Sequence, residues 1–504
     1  RYNMGGWPST VFLAADGTIL TGATYVPPAN MTGLLRDIDR FYRERRSEIA
    51  DRVAEIAATR DARPALRSES PPDEACIDWT IETLVAAYDD EYGGFGTEQK
   101  FPHVDALEFL LQEYRVTGEP RLYEMAAKSV AAMASGGMYD HVEGGFFRYS
   151  TTRDWSVPHF EKMAEDHAGL LRVLSTLVQI SDRTDFRDTL LSAAGYVRDV
   201  LYDERLQRFA GSQDADEAYY ALPLEARRAT SAPFVDRRAY ANWNAALAGA
   251  FFSAGVALED DRLIGVASAV LDEMHATMLD DDGLLFHVAA PGEHPRIRGL
   301  LADQTVYVRA ALDAHEATGE ARFLERARAT VDAIERFFRA EEGGFYDRAP
   351  FETPLGALAR SDRPLQENAS LADSLLRLEA MTLEERYRTQ AEQTLALYAH
   401  SYRGAGTFAA SYARPVRRLR SAPASVTVVG SAADSSAFRE TARRLPNPLL
   451  VIRTIAPADR ETLRVRGFAA TEKAQAYLCA GTQCSAPVDD PADLRAAFES
   501  LTPR

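Results

Sequence analysis

Gly136-Gly137-Met138-Tyr139-Asp140-His141-Val142-Glu143-Gly144-Gly145-Phe146-Phe147 opens a segment that continues as Arg148-Tyr149-Ser150-Thr151-Thr152-Arg153-Asp154-Trp155-Ser156-Val157-Pro158-His159-Phe160-Glu161-Lys162-Met163 and on to Asp166. Two Gly-Gly pairs and Pro158 keep most of it out of a helix interior. Its Gly144-Gly145-Phe146-Phe147 turn recurs as Gly93-Gly94-Phe95-Gly96 and Gly343-Gly344-Phe345-Tyr346. Weaker copies are Phe209-Ala210-Gly211-Ser212, Gly283-Leu284-Leu285-Phe286 and Gly406-Thr407-Phe408. The six stand about 50–70 residues apart, the length of a helix hairpin.

Between these turns the apolar residues fall at helical spacing, as in Ile77, Ile81, Leu84, Val85, Tyr88 and in Leu107, Leu110, Leu111, Tyr114. The pattern predicts further helices over 120–134, 158–181, 184–202, 238–258, 260–279, 301–318, 320–340, 365–380 and 384–402. Six hairpins ending in one kind of turn predict a mainly α protein: a closed (α/α)6 barrel over 74–420, with the turns gathered at one end around a polar hollow. An open superhelix would need polar capping repeats, which are not apparent.

The two ends read differently. Over 1–57, Gly5-Gly6-Trp7-Pro8 leads into Ser9-Thr10-Val11-Phe12-Leu13, Asp16-Gly17 signals a hairpin, and Thr18-Ile19-Leu20-Thr21-Gly22 returns. Tyr25-Val26-Pro27-Pro28 then opens an amphipathic helix. This resembles the second half of a thioredoxin fold without the half that would carry a Cys-x-x-Cys pair, so dithiol chemistry is not expected. Residues 58–73 read as a linker. Over 421–504, Ser425–Gly430 and Leu449–Ile452 read as strands around a helix at Ser435–Leu445, one βαβ unit with no phosphate-binding glycine pattern.

The totals narrow the function. The chain has 504 residues, 46% of them hydrophobic, and a net charge of -18, which argues against nucleic acid. No apolar run approaches the ~20 residues of a membrane span. Cys76, Cys479 and Cys484 do not suggest a disulfide framework, and a zinc site would need ligands the tail lacks. The expected location is the cytoplasm, with no metal and no cofactor called for.

Taken with Val157-Pro158-His159-Phe160-Glu161-Lys162-Met163 and Asp214-Ala215-Asp216, the quoted motifs resemble the thioredoxin-domain-containing family related to spermatogenesis-associated protein 20. That resemblance implies a thioredoxin-like segment fused to a barrel of the six-hairpin glycosidase kind, similar to those of N-acylglucosamine 2-epimerases and cellobiose epimerases. The family name does not settle the reaction; a small-molecule substrate, a carbohydrate, is expected in the barrel, and the thioredoxin-like segment is expected to offer a protein partner a docking arm.

Two chemistries suit the residues. A sugar epimerase or isomerase moves a proton on and off carbon, and histidine titrates near working pH. His159 is the first candidate, with Glu161 as its partner and His141 and Asp140 in the same loop. A helix starting at Pro158 would set 159 and 161 about 200° apart. Glycoside hydrolysis instead needs two carboxylates, from Asp140, Glu161, Asp214 and Asp216. Trp155, Trp243, Tyr149 and Arg148 are expected to contact substrate. A non-catalytic scaffold is the third reading.

Overall fold

The computed structural model describes residues 8–15, 17–61, 70–350, 361–445, 447–471, 473–481 and 483–501. Gly5-Gly6-Trp7, Asp16 and half of the expected linker, 62–69, lie outside them. The chain divides into two compact units, Arg1–Arg67 with Pro350–Asp362, and Ser68–Ala349 with Arg363–Arg504.

In the first unit, strands β1 (Thr10–Leu13) and β2 (Ile19–Ala23) pair antiparallel, as the hairpin signal predicts. Helices α1 (Pro28–Glu44) and α2 (Arg46–Asp61) follow. Pro28 suits the first helical turn, where no N–H is needed.

In the second unit, twelve helices alternate between an outer and an inner ring. The outer helices are α3 (Ala75–Ala87), α5 (Pro120–Ser135), α7 (Thr184–Tyr196), α9 (Asp261–Thr277), α11 (Ala321–Phe338) and α13 (Glu385–Ala396). The inner ones are α4 (Val104–Thr117), α6 (Ala164–Ile180), α8 (Ala241–Leu258), α10 (Leu301–Thr318), α12 (Leu365–Thr382) and α14 (Ala410–Arg420). Each inner helix packs on the next, and α14 packs back on α4, so the ring closes. The inner-to-outer connections are short, such as Gly118-Glu119 and Gly319-Glu320. The long outer-to-inner loops carry all six turns to the N-terminal ends of the inner helices.

The turns are plugs. Phe95, Phe146, Phe209, Leu285 and Phe345 are buried at the equivalent position, each burial worth about 1.5–3 kcal/mol. Four are locked by a polar side chain one turn into the following inner helix. The backbone N–H groups of Phe146, Phe209, Leu285 and Phe345 donate to His167, Asn244, Gln304 and Asn368. Gly145 must be glycine, since its φ is +84° and a Cβ would lie 2.6 Å from the Tyr196 ring. The sixth copy departs from the pattern, because Phe408 is exposed in a 3-10 segment, Tyr402–Ala409.

The barrel axis is polar. Glu108 on α4 pairs with Arg309 on α10 at 3.1 Å and with Arg414 on α14. Asp313 on α10 pairs with Arg172 on α6 at 2.5 Å and Arg377 on α12 at 2.9 Å. Asp373 on α12 pairs with Arg418 on α14 at 2.7 Å. Gly249 on α8 makes room, because a Cβ there would lie 2.0 Å from the Arg172 guanidinium. This lattice forms a floor across the ring.

The C-terminal segment packs into the same unit. The parallel strands Ala424–Val429 and Val451–Ile455 flank α15 (Ser436–Arg443), the expected βαβ unit. Gln475–Ala480 and Gln483–Cys484 extend the sheet antiparallel. Here the structure corrects the cysteine reading. Cys479 and Cys484 face each other across that hairpin and form a disulfide. A bridge inside a tight hairpin has too short a spacing to read as a framework. Cys76 is buried, and burial pushes its thiol up to about 12, which makes it inert at neutral pH.

Candidate active site

The Gly136–Asp166 segment does not form a helix at Pro158. Strand β3 (Tyr149–Ser150) pairs antiparallel with β4 (Pro158–His159), and α6 begins only at Ala164. Proline tolerates this edge pairing, and the chain turns tightly at Phe160, with Glu161 N–H donating to the His159 carbonyl at 2.8 Å. The expected 200° separation of residues 159 and 161 is thereby overturned. His159 Nε2 lies 3.6 Å from Glu161 Oε2. Glu161 also accepts from Arg148 Nη1 at 2.9 Å, and the His159 ring stacks on Tyr149 with centroids 5.0 Å apart. The His159 side chain remains 40% exposed, which leaves it accessible to a ligand.

The N-terminal ends of α4, α6, α8, α10, α12 and α14 wall a cavity of about 300 Å³, and His159, Glu161, Arg148 and Tyr149 are not among its lining residues. Asp105, Glu165, Asn242 and Gln366 line it, and Arg309 and Arg414 reach it from the floor. Asn242 Oδ1 is buried there with no hydrogen-bond partner among the described residues. Burial raises the Glu165 carboxyl above its ordinary value, with Arg148 and the Trp243 indole opposing. Burial and the neighbouring Glu165 raise Asp166 to about 8, so that it carries its proton at neutral pH. Arg148 opposes this rise and Glu161 adds to it.

Sequence reasoning missed a second histidine–carboxylate pair. His287, in the loop feeding α10, places Nδ1 3.1 Å from Asp303 Oδ1. Asp303 is fully buried and also accepts from Asn242 N–H at 3.2 Å. Its hydrogen bond raises the His287 pKa. The His287 ring contacts Tyr240, which contacts Trp243. The available signal was Asp303 in the first turn of an inner helix, but its partner lies 16 residues away in sequence.

Other expected site residues go elsewhere. Asp140 is buried between Lys162 Nζ at 2.8 Å and Arg227 Nη1 at 2.6 Å, so it holds the loop together and has no free face for substrate. Trp155 is buried, with its indole N–H bonded to the Tyr92 carbonyl, because the loop folds back over the Gly94 turn. His141 is exposed, and its Nε2 lies 3.1 Å from the Gly136 carbonyl. Asp216 caps a short helix by accepting from Tyr219 N–H, and neither it nor Asp214 lines the cavity. His167 is a lock: its Nε2 accepts from Phe146 N–H, so its proton sits on Nδ1 and goes to the Met163 carbonyl.

The raised Asp166 predicts a pH dependence. Between the ordinary carboxylate value of about 4 and the folded value of about 8, the folded chain binds more protons than the unfolded one, so stability falls as pH rises. Asp166→Asn is expected to flatten this slope and to raise Tm relative to the parent at pH 8 more than at pH 5. Calorimetric scans at both pH values check it.

A closed ring of six hairpins with acids and histidines at one mouth defines an (α/α)6 barrel of the epimerase and glycosidase architecture. The chain is homologous, over 97% of its length, to spermatogenesis-associated protein 20. It is 26% identical to the Homo sapiens protein and 25% identical to the Rattus norvegicus one, each match covering 79% of the relative. No family model matches the chain. A D-mannose isomerase superposes with a TM-score of 0.53 at 14% identity, covering 64% of this chain and 84% of that one. Cellobiose 2-epimerase from Bacillus thermoamylovorans B4167 gives 0.53 at 13%, covering 65% and 87%. An unsaturated glucuronyl hydrolase specific for heparin gives 0.50 at 11%, covering 69% and 96%. At these identities the likeness concerns the fold. Among the described residues no helix is long and apolar enough to cross a membrane.

Proposed function

We propose that this protein is a sugar epimerase or isomerase whose substrate enters the cavity at the N-terminal ends of the inner helices. The observation that carries the reading is the pair of histidine–carboxylate couples at the same end of the barrel as that cavity, His159–Glu161 and His287–Asp303. They come from loops feeding α6 and α10, which both pack on α8. Epimerisation needs a base on one face of a carbon and an acid on the other, and two imidazoles held by carboxylates can supply those roles. Arg148, Tyr149 and Trp243 then contact the sugar, and Asn242 Oδ1 accepts from a hydroxyl. The solved neighbours that isomerise or epimerise sugars support the reading by fold alone.

Glycoside hydrolysis is the second reading, favoured by the raised Asp166 acid beside Glu165. The scaffold reading survives in one part: the first unit is proposed as a thioredoxin-like arm that docks a protein partner. A cytoplasmic location is part of the same proposal, although the Cys479–Cys484 disulfide weighs against a reducing compartment.

Incubation with a panel of mono- and disaccharides in D2O tests the assignment. Deuterium at a sugar carbon is the expected result, read by NMR. New reducing ends without deuterium would replace epimerisation by hydrolysis, and neither would remove both.

A further inference from the structure

The opposite end of the barrel holds a second cavity, of about 180 Å³, between the C-terminal ends of the inner helices and the C-terminal lobe. The ion-pair floor separates it from the sugar mouth, since Asp313 and Glu316 line this cavity and Arg309 and Arg414 line the other. Two guanidiniums face it from opposite sides. Arg115, on α4, donates Nη2 to the Leu445 carbonyl at 3.1 Å, and its buried Nε has no partner among the described residues. Arg443, on α15, lies within the same wall. No ion pair or side-chain hydrogen bond engages its guanidinium among the described residues, and Glu316 and Asp313 are the carboxylates of the lining that act on it.

The carboxylates of this wall are already used. Asp313 accepts from Arg172 and Arg377, and Glu316 Oε2 from Arg377 at 3.1 Å. The lining thus carries two guanidiniums, Arg115 and Arg443, and two carboxylates that Arg172 and Arg377 already engage from outside it. Burial lowers both Arg115 and Arg443 to about 10, at Arg443 against the opposing pull of Glu316 and Asp313. Burial also raises Glu316, with Arg377 opposing, and its buried Oε1 has no hydrogen-bond partner among the described residues. Asn447 adds a side-chain amide, whose Oδ1 is engaged by Leu449 N–H, leaving the NH2 group as the donor.

We propose that this cavity binds a phosphate-class anion, as inorganic phosphate or as the phosphate end of a small metabolite, held between Arg115 and Arg443. Guanidinium forks match phosphate oxygens in geometry and charge. The anion would tie α15 and the Asn447–Ile452 segment to the barrel, so occupancy would set how firmly the C-terminal lobe caps it. The site does not depend on the sugar-enzyme reading.

Inorganic phosphate is titrated into the full chain in chloride buffer at constant ionic strength, with 31P line width and Tm as readouts. Saturable broadening and a rise in Tm of several degrees are expected, with Arg443→Gln and Arg115→Gln each weakening binding at least tenfold. A parallel titration with a sugar phosphate distinguishes free phosphate from a phosphate monoester by which of the two binds more tightly. Hydrogen exchange on the unaltered protein locates the site even where a variant fails to fold, with protection expected over Ser436–Arg443 and Asn447–Ile452. No saturable signal with either probe, or protection confined to the mouth, overturns the proposal.

Discussion

Asp140→Ala is expected to destabilise the barrel unit by about 3–5 kcal/mol, the cost of leaving buried charge without its counterion. Lys162 and Arg227 are both fully buried at their side chains and both point at Asp140. Burial alone would push the Asp140 carboxyl up, yet Arg227 and Lys162 outweigh it and hold it below the usual range. The contribution is therefore present above the ordinary carboxylate pKa and is lost as pH falls through the lower folded value. Lys162 has two further supports, the Gly144 carbonyl at 2.8 Å and the rings of Phe147, Tyr196 and Tyr220 within about 5 Å of its ammonium. None of these replaces a carboxylate. Lys100 repeats the arrangement in the preceding loop, with Asp89 at 2.6 Å and the Gly93 carbonyl at 2.7 Å. Asp89→Ala is thus expected to act in the same direction. A shift of the urea midpoint checks both, and an unchanged midpoint for Asp140→Ala would show that the pair has no net worth.

His159→Ala is expected to lower turnover by about 10²–10⁴-fold, the usual contribution of a positioned acid or base. Tm should change little, because the ring is 40% exposed and stacks only on Tyr149. His287→Gln is expected to cause a loss of similar size with a larger fall in stability, since Asp303 is buried and would keep only the Asn242 N–H among the contacts described above. Deuterium incorporation into the substrate identified in the sugar panel gives the rates, and calorimetry gives the stabilities. Full turnover in His159→Ala would remove this residue from the mechanism and leave His287 as the base to test.

The sequence by itself determined the architecture. Repetition at a hairpin's length, a helical apolar period and a glycine-aromatic turn are local properties, and the closed ring follows because each hairpin has one apolar face to bury. It also singled out one loop as a candidate site, since so many charges beside so many rings call for a function or a demanding fold. The roles within that loop were decided by tertiary structure. Asp140 and His159 look equally chemical on the page, but Asp140 meets Arg227, 87 residues later, while His159 stays open. The pairing of Pro158–His159 with Tyr149–Ser150 reversed the expected geometry of residues 159 and 161, because a short strand and a first helical turn share the same proline signal. His287 with Asp303, the hairpin disulfide and the two cavities on either side of the ion-pair floor depend on contacts between separate elements. Periodicity records which way a residue faces, and only closure of the ring decides what it meets there.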